Sequence, residues 1–301
     1  MLRQYTSGQP PAMPKMVSLH GSVLFADVSG FTQLTARLQE TIGGARGAEE
    51  LNNILSKYFN ILITCFHRHG GDVVSFSGDA MTVLFEAQRG ADDAPATEEA
   101  LAEAALRSVR CAVEVLGEVK GFSLAEYAQY GLGDCTITLH AGMGVGELTA
   151  LYVAGYKKPG AEGKLLPSGQ VLGGMPERDG FAMMGSPMTQ LKHAEEKAGS
   201  GECVLSPQLW ALVKPHCAAA KEDDDGFVFV ARVTTPPAAW PNGGAPPRTL
   251  RDEALNAPQL AACLRHISAF NPEPVQHRLK VAGKNWLADF RVVSVMFMRI
   301  K

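Results

Sequence analysis

The feature that most constrains this chain is a long run of apolar side chains with helical spacing. Between Ala48 and His67 they recur at intervals of three and four residues, at the following positions: Leu51, Ile54, Leu55, Tyr58, Phe59, Leu62 and Ile63. This spacing puts them on one face and predicts an amphipathic helix, the strongest in the sequence. We expect the helix to end at Gly70-Gly71, and its apolar face needs a second layer to bury it.

A β-hairpin is predicted directly after this helix. Two β-rich runs, Asp72 to Phe76 and Ala80 to Phe85, are separated only by Ser77-Gly78-Asp79. Gly and Asp are residues that tight turns favour. The hairpin therefore carries an acidic residue, Asp79, at its tip.

A buried strand and a helix are predicted earlier in the chain. The apolar run from Ser22 to Ala26 is typical of a short strand that ends at Asp27. Ser29 and Gly30 are good strand breakers and helix caps. The residues after them continue at helical spacing with Phe31, Leu34 and Leu38.

The remaining pattern completes one domain. Glu98 to Val119 is helical, and Thr136 to Met143 and Val145 to Ala154 look like two further strands. This order of elements predicts an α+β, ferredoxin-like fold, in which helices cover one face of an antiparallel sheet. Residues 155–180, rich in Gly, Pro and Lys, are predicted to be an exposed insertion loop.

Composition excludes several classes of protein. With 46% hydrophobic and 20% charged residues the chain has the material for a globular core, and its net charge of −3 gives no footprint for nucleic acid. No apolar run reaches the roughly 20 residues that a membrane span requires. Six cysteines without a C-x-x-C pair favour a reducing compartment, so we expect a cytoplasmic protein: Cys65, Cys111, Cys135, Cys203, Cys217 and Cys263.

Two aspartates are the candidate chemical centre. Asp27 ends the first strand, and Asp79 tips the hairpin that should pair beside it. Carboxylates that converge at a sheet end make an all-oxygen site for Mg²⁺ or Mn²⁺, and the sequence has no His or Cys pattern typical of zinc. The plainer interpretation is that Asp27 caps a helix and Asp79 serves a turn.

The segment after Asp27 suits a phosphate group. Ser29-Gly30-Phe31-Thr32 would place free backbone N–H groups at a helix N-terminus, where the helix dipole also favours an anion. A metal site and a phosphate site are therefore predicted side by side.

These segments resemble a known family. Phe25-Ala26-Asp27-Val28-Ser29-Gly30-Phe31-Thr32 and Phe76-Ser77-Gly78-Asp79-Ala80 look like the paired metal motifs of class III adenylyl and guanylyl cyclases. The segments Arg46 to Leu51, Gly71 to Phe76 and Gly201 to Pro207 further resemble the first catalytic domain of bicarbonate-responsive soluble adenylyl cyclases.

The resemblance implies a mechanism and a set of site residues. Asp27 and Asp79 would be the catalytic residues and, with the carbonyl of Val28, would bind two Mg²⁺ ions, for which Mn²⁺ can substitute. The segment Ser29 to Thr32 would hold the triphosphate of ATP. Two-metal catalysis would then form 3′,5′-cyclic AMP and pyrophosphate. Adenylyl rather than guanylyl specificity is implied by the resemblance alone.

Departures from the family pattern imply a missing partner. Ala182 stands at the position of an Asp that recognises the base, Thr189 at that of a transition-state Asn, and His193 at that of a transition-state Arg. Threonine lacks an amide, and neutral histidine lacks a permanent bidentate charge. We expect a homodimer to be inactive and a second cyclase domain, in the same or another chain, to complete the site.

The resemblance also suggests how the chain is divided. Residues 1–16 are expected to be flexible, 17–233 to form the catalytic domain, 234–290 to be a Pro-rich arm and helical linker, and 291–301 to begin a truncated second cyclase domain. Within the linker, residues 258–270 look helical.

Bicarbonate is a candidate regulator. The family's anion pocket uses a Lys and an Arg, and Ser75 and Lys192 stand at those places. Lys192 retains a charge that Ser75 lacks, and its plainer interpretation is a solvated helix residue. Ciliary association is left open by the resemblance.

Three histidines and two other functions complete the hypotheses. His140 is interpreted as structural, and His67 and His69 as the surface end of a helix. A silent cyclase-homology module that binds a nucleotide or acts as a scaffold is the main alternative to an enzyme half. A phosphohydrolase would need a water-activating base that we cannot name.

Overall fold

A computed structural model describes residues 14–90, 94–153, 164–165, 171–172, 180–236 and 258. In this part of the chain the α-helices are α1 (Phe31–Thr41), α2 (Gly44–Arg68), α3 (Glu98–Lys120), α4 (Ser186–Lys197) and α5 (Pro207–Val213), and 3-10 helices span Ala125–Tyr130 and Lys214–His216. The strands are β1 (Lys15–Ser29), β2 (Asp72–Ser77), β3 (Ala80–Glu86), β4 (Thr138–Val153), β5 (Lys164–Leu165), β6 (Val171–Leu172), β7 (Gly180–Met184), β8 (Cys203–Leu205), β9 (Cys217–Glu222) and β10 (Val228–Val233).

The main sheet has the strand order β2-β3-β1-β4-β8-β10-β9, and β7 also pairs with β4. The long strand β1 lies between β3 and β4 and is antiparallel to both. One pair, β4 with β8, is parallel. The predicted α+β fold with an antiparallel sheet is confirmed, and the sheet is mostly rather than entirely antiparallel.

Several predicted elements appear with modest changes. The helix predicted from Ala48 to His67 is α2, and the hairpin predicted around Asp79 is formed by β2 and β3. The first strand is longer than the apolar run from Ser22 to Ala26, because pairing with β4 extends it from Lys15 to Ser29.

One prediction about the strands is wrong. The two strands expected on either side of Gly144 are a single strand, β4, with an unbroken register against β1. Glycine in a strand interior often marks a place where another backbone comes close rather than a break. That is the case here, since α4 lies against this stretch.

The helices divide between the two faces of the sheet. Alternate residues of β1 point to opposite faces; Leu24, Ala26 and Val28 join the large core formed with α1, α2 and α3. Val23 packs on the other face, in a smaller cluster that includes Leu191 of α4. The predicted helical face is therefore present, and α4 adds a helix on the opposite face.

Glycines in β4 allow α4 to approach very closely. A Cβ atom on Gly142 would lie 2.4 Å from the backbone nitrogen of Glu195 and 2.7 Å from the carbonyl oxygen of Leu191. A Cβ atom on Gly144 would lie 2.4 Å from the carbonyl oxygen of Pro187. Side chains at these positions would push the helix away from the sheet.

A buried arginine of α3 forms hydrogen bonds with the end of α2 and with β3. The Arg107 side chain is 1% exposed and donates to the Glu103 carboxylate at 2.7 Å. Its other nitrogens donate to the carbonyl oxygens of His69 and Glu86, both at 3.0 Å. Each of the three guanidinium nitrogens therefore has a hydrogen-bond acceptor, as a buried charge requires.

Four of the predicted segments lie wholly or largely outside the described residues. These are the flexible start at 1–16, the insertion loop at 155–180, the arm and linker at 234–290, and the strand at 291–300. Within the first, β1 already begins at Lys15; within the second, β5 and β6 pair with each other. The helix predicted over 258–270 is described only at Pro258, which is helical.

Replacing Gly142 by Ala tests the close approach of α4. We expect Gly142→Ala to lower the free energy of unfolding by about 1–3 kcal/mol, the usual cost of forcing extra atoms into a packed site. Gly117→Ala is the matched control, because nothing lies within 4 Å of its added Cβ atom in the exposed interior of α3. That control should gain about 0.5–1 kcal/mol. Urea unfolding measures both, and equal values would contradict the packing described.

Removing the buried guanidinium tests the α3 network. Arg107→Met should lower the free energy of unfolding by about 3–5 kcal/mol, because it leaves the buried Glu103 carboxylate without its ion-pair partner. Lys192→Met breaks the exposed pair with Glu196 and should change little. Denaturant unfolding that gives similar values for both variants would refute a structural role for Arg107.

Candidate active site

Asp27 lies near the end of β1, on the face of the sheet that α4 covers. Its neighbours Ala26 and Val28 point to the opposite face and are buried in the large core. Directly across the strand pair from Asp27 is His140 of β4. Strand pairing therefore fixes the two residues side by side, and the side chain of Asp27 remains 29% exposed.

Glu195 of α4 completes a cluster around His140. The Nε2 atom of His140 lies 3.4 Å from Oδ2 of Asp27 and 3.4 Å from Oε1 of Glu195. The three side chains are 13% exposed for His140, 29% for Asp27 and 28% for Glu195. They thus form a half-buried cluster that solvent and ligands can reach.

The second predicted carboxylate lies close enough to influence the first. Burial raises the pKa of Asp27; the charge of His140 lowers it, and the negative charges of Asp79 and Glu195 raise it, so that the pKa lies above its ordinary value. Asp79 occupies the tight loop between β2 and β3, beside the end of β1. Crowded carboxylates of this kind gain when a cation binds between them.

A buried hydroxyl in the large core is influenced by the same carboxylates. The Tyr58 side chain is fully buried, and its hydroxyl has no hydrogen-bond partner among the described residues. Burial raises the pKa of Tyr58, and the charges of Asp27 and Asp79 raise it further. Its ring packs edge to face against Phe31 at 5.6 Å between centroids.

The segment predicted to bind phosphate forms the turn from β1 into α1. Gly30 is the N-cap residue with φ of 107°, and a Cβ atom there would lie 2.4 Å from the carbonyl oxygen of Thr136. Only glycine fits this conformation and this contact. The first turn of α1, from Phe31, has no acidic residue and no side-chain cap, which leaves its N–H groups available to an anion.

These residues fit a divalent cation. Asp27 and Asp79 offer hard oxygen ligands, and the raised pKa of Asp27 marks a carboxylate whose negative charge is poorly compensated. Val28 follows Asp27 in β1, and its backbone N–H lowers the pKa of the Asp27 carboxyl. The structure thus brings the predicted metal and phosphate residues to one place.

The sequence did not reveal two residues of this cluster. His140 was interpreted as a structural histidine, and Glu195 was not singled out at all. The position of Glu195 depends on the close contact between α4 and β4 at Gly142. The alternating glycines Gly142, Gly144 and Gly146 are the signal that could have indicated a helix pressed against this strand.

Of the two residues predicted for an anion pocket, Ser75 lines a cavity and Lys192 is exposed on α4. Ser75 lines a cavity of about 250 Å³, together with these residues: Val74, Thr82, Phe181, Ala182, Met183 and Met188. Lys192 is not among its lining residues; its side chain is 69% exposed, and its Nζ lies 3.7 Å from Oε1 of Glu196. The residues that line this cavity carry no charge.

The three departures from the family pattern lie on the same side of the molecule. Ala182 lines the cavity just described, and Thr189 and His193 are exposed on α4. None of the three provides a permanent charge at that surface.

The histidines at the end of α2 have partners within the fold. Nε2 of His69 lies 2.9 Å from Oε2 of Glu114 on α3. With Cys65, these two form a second group whose ligand atoms lie within 4.8 Å of one another. Arg68 also binds Glu114, so a cation there would have to displace a guanidinium.

Among the helices of the described residues, none combines the length and the apolar character needed to cross a bilayer.

Comparison of sequences gives one group of relatives. No protein-family model matches the chain. The chain is 25% identical to mouse adenylate cyclase type 10 over 202 residues, which are 67% of this chain and 10% of that protein. The human protein of the same name is 24% identical over 202 residues, again 67% of this chain and 10% of that protein. The chain therefore spans about a tenth of the length of the relatives it matches.

Comparison of structures gives cyclases as well. The adenylyl cyclase CyaB from P. aeruginosa is similar with a TM-score of 0.50 and 17% identity, covering 72% of this chain and 96% of that one. The guanylyl cyclase domain of the RhoGC fusion protein from Blastocladiella emersonii is similar with a TM-score of 0.48 and 18% identity, covering 74% and 100%. The fold is that of class III cyclase catalytic domains.

Removing the Tyr58 hydroxyl tests whether it serves the site rather than the fold. Tyr58→Phe should leave the free energy of unfolding unchanged or raise it by about 1 kcal/mol, since a buried hydroxyl without a partner costs stability. Tyr58→Leu is the contrasting variant, because it loses the ring contacts with Phe31 and should unfold more easily. Thermal and denaturant unfolding measure both. A loss of about 2 kcal/mol or more in Tyr58→Phe would mean that the hydroxyl has a structural partner.

Proposed function

We propose that this chain, which has the fold of class III cyclase catalytic domains and is homologous to adenylate cyclase type 10, is the metal-binding half of an adenylyl cyclase. With a second cyclase domain it forms 3′,5′-cyclic AMP and pyrophosphate from ATP in the cytoplasm. The observation that carries this proposal is the meeting of Asp27, Asp79 and the α1 N-terminus at one end of the sheet.

The two aspartates hold the cations in this proposal. Asp27 and Asp79, with the carbonyl of Val28, bind Mg²⁺, or Mn²⁺ in its place. Cations held by these residues would supply the Lewis acidity that favours deprotonation of the ribose 3′-hydroxyl and would neutralise charge on pyrophosphate. The half-buried position of Asp27 supports this role, because a partly dehydrated carboxylate attracts a cation more strongly than an exposed one.

The turn after β1 binds the triphosphate. The backbone N–H groups from Gly30 to Thr32 donate to phosphate oxygens, and the dipole of α1 adds positive potential. Gly30 lets the chain turn tightly beside Thr136, so that the phosphates lie next to the metal ligands. Binding and orientation of the nucleotide are thus the work of this half of the site.

The second half comes from a partner. Thr189 and His193 of α4 offer no permanent charge for a pentavalent phosphate, so a second domain must supply transition-state groups and base recognition. Large apolar side chains that a partner would cover are exposed on this chain: Met16, Phe76, Val153 and Met184.

The same observations support a second candidate function. A domain with cation and phosphate ligands but without transition-state groups on α4 is also suited to bind a nucleotide without turning it over. In that case the chain is a nucleotide-binding or scaffold module, and the two carboxylates serve affinity alone.

Reconstitution separates these functions. Cyclic AMP is measured with Mg²⁺–ATP for the chain alone, for the chain mixed with the second cyclase domain of an adenylate cyclase type 10, and for mixtures with Asp27→Ala or Asp79→Asn. We expect activity only in the intact mixture, and a fall of at least about 100-fold in either variant, a loss typical of removing a group that stabilises transition-state charge. Glu196→Gln, an exposed acid on α4, is the control and should retain activity.

The other outcomes are equally informative. Activity of the chain alone would contradict the half-site. Silence of a mixture that forms a complex by size-exclusion chromatography and binds ATP would favour the scaffold module. Equal activity of Asp79→Asn and the unmodified chain would refute the metal site.

A further inference from the structure

The cluster of Asp27, His140 and Glu195 has the composition of a transition-metal site. The residues come from β1, β4 and α4, and one ligand atom from each lies within 4.8 Å of the other two. Two carboxylate oxygens and an imidazole nitrogen are ligands that zinc takes in proteins. Magnesium and calcium prefer oxygen alone.

The distances agree with tetrahedral geometry. Two ligand atoms bound to zinc at about 2.0–2.1 Å and at the tetrahedral angle lie about 3.3–3.4 Å apart. His140 Nε2 is 3.4 Å from Asp27 Oδ2 and 3.4 Å from Glu195 Oε1. Octahedral magnesium with similar bond lengths would bring neighbouring ligand atoms to about 2.9 Å. Two of the three distances between ligand atoms therefore already match four-coordinate rather than six-coordinate geometry.

The backbone holds these three residues in place. Asp27 and His140 are direct partners in the β1–β4 register. Glu195 is held by the contact of its backbone with Gly142, two residues beyond His140 on the same strand. A site built on two paired strands and a helix packed against them loses little entropy when a cation binds.

Charge and access also suit a cation. Two carboxylates and a neutral imidazole carry a charge of −2, which matches a divalent ion. The three side chains are each between 13% and 29% exposed, so a water molecule can take a fourth position. Three protein ligands with one open position are the arrangement of zinc sites that exchange a ligand.

A simpler account is an ion pair. A protonated His140 between two carboxylates would need no metal, and it would give similar distances. The two accounts differ in one respect: an ion pair binds no Zn²⁺ or Co²⁺, whereas a ligand cluster binds both.

We propose that Asp27, His140 and Glu195 bind a transition-metal cation of the Zn²⁺ class in tetrahedral geometry, with preference over Mg²⁺. This site goes beyond the cyclase half-site, because it uses two residues that the proposed magnesium site does not. Asp27 belongs to both. If the proposed function holds, a cation in the cluster competes with the magnesium site for that carboxylate.

Cobalt binding to the full chain tests the proposal without reference to activity. Tetrahedral Co²⁺ gives strong visible absorption bands, and octahedral Co²⁺ gives weak ones. We expect the metal-free chain to give the strong bands on addition of one equivalent of Co²⁺, and Zn²⁺ to abolish them while excess Mg²⁺ does not. His140→Ala and Glu195→Gln should each weaken Zn²⁺ binding in calorimetry by more than about 100-fold, beyond the loss that outer partners of a metal site cause.

Three controls locate the cation. Glu196→Gln changes the next residue of α4 and should bind Co²⁺ as the unmodified chain does. His69→Ala removes the histidine of the α2–α3 group and should also have no effect. Asp79→Asn should retain the bands while cyclase activity in the mixture is lost, so failure of the cluster and failure of the half-site are distinguishable. Circular dichroism confirms that each variant is folded.

The proposal is overturned by any of three results. These are the absence of strong Co²⁺ bands, Zn²⁺ binding that His140→Ala and Glu195→Gln leave unchanged, and binding that Asp79→Asn weakens as much as Glu195→Gln does. The last result would assign the cation to the Asp27–Asp79 pair instead.

Discussion

All 15 residues of β1 pair with β4 in one antiparallel register, and both faces of the molecule are built on this pair. On one face it supports the large core under α1, α2 and α3. On the other face α4 lies directly on β4, at a distance that only glycine at positions 142 and 144 permits. Asp27, His140 and the turn into α1 all lie at the same end of this pair. A change in its register by one residue would send Asp27 into the core, because successive side chains of a strand alternate between faces.

Charged and polar groups are concentrated at the end of the sheet where Asp27 lies. Three carboxylates, one imidazole and the N-terminus of a helix converge there, and burial together with neighbouring negative charge raises the pKa of Asp27. The buried hydroxyl of Tyr58 adds a polar group without a partner among the described residues. An arrangement of this kind is costly in a fold that binds nothing, and perturbed groups of this sort gather at functional sites. The cation binding that we propose would offset this cost.

The two sides of this surface differ in their polar groups. The residues that we propose as cation and phosphate ligands lie on the β1 side, whereas the α4 side offers Thr189 and His193, both exposed. In the proposed reaction, fixed positive charge or amide groups would be needed opposite the nucleotide, where charge develops in the transition state. In this chain α4 instead directs Glu195 toward His140. The helix therefore contributes a carboxylate where the proposed partner domain would contribute an amide or a positive charge, and this asymmetry supports the proposal of one half of a paired site.

The sequence by itself determined the elements with strong periodicity and the residues with a local motif. The apolar stripe of α2, the hairpin with Asp79 at its tip and the turn at Gly30 were all predictable, because each depends on neighbours in the chain. Only the tertiary structure decided that β4 is one strand, that α4 covers it, and that Glu195 and His140 join Asp27. The same glycines that suggest a break in a strand also permit a helix to press against it, and only the position of α4 distinguishes the two. Residues 55 positions apart, such as His140 and Glu195, come together through packing between elements, which no local pattern encodes.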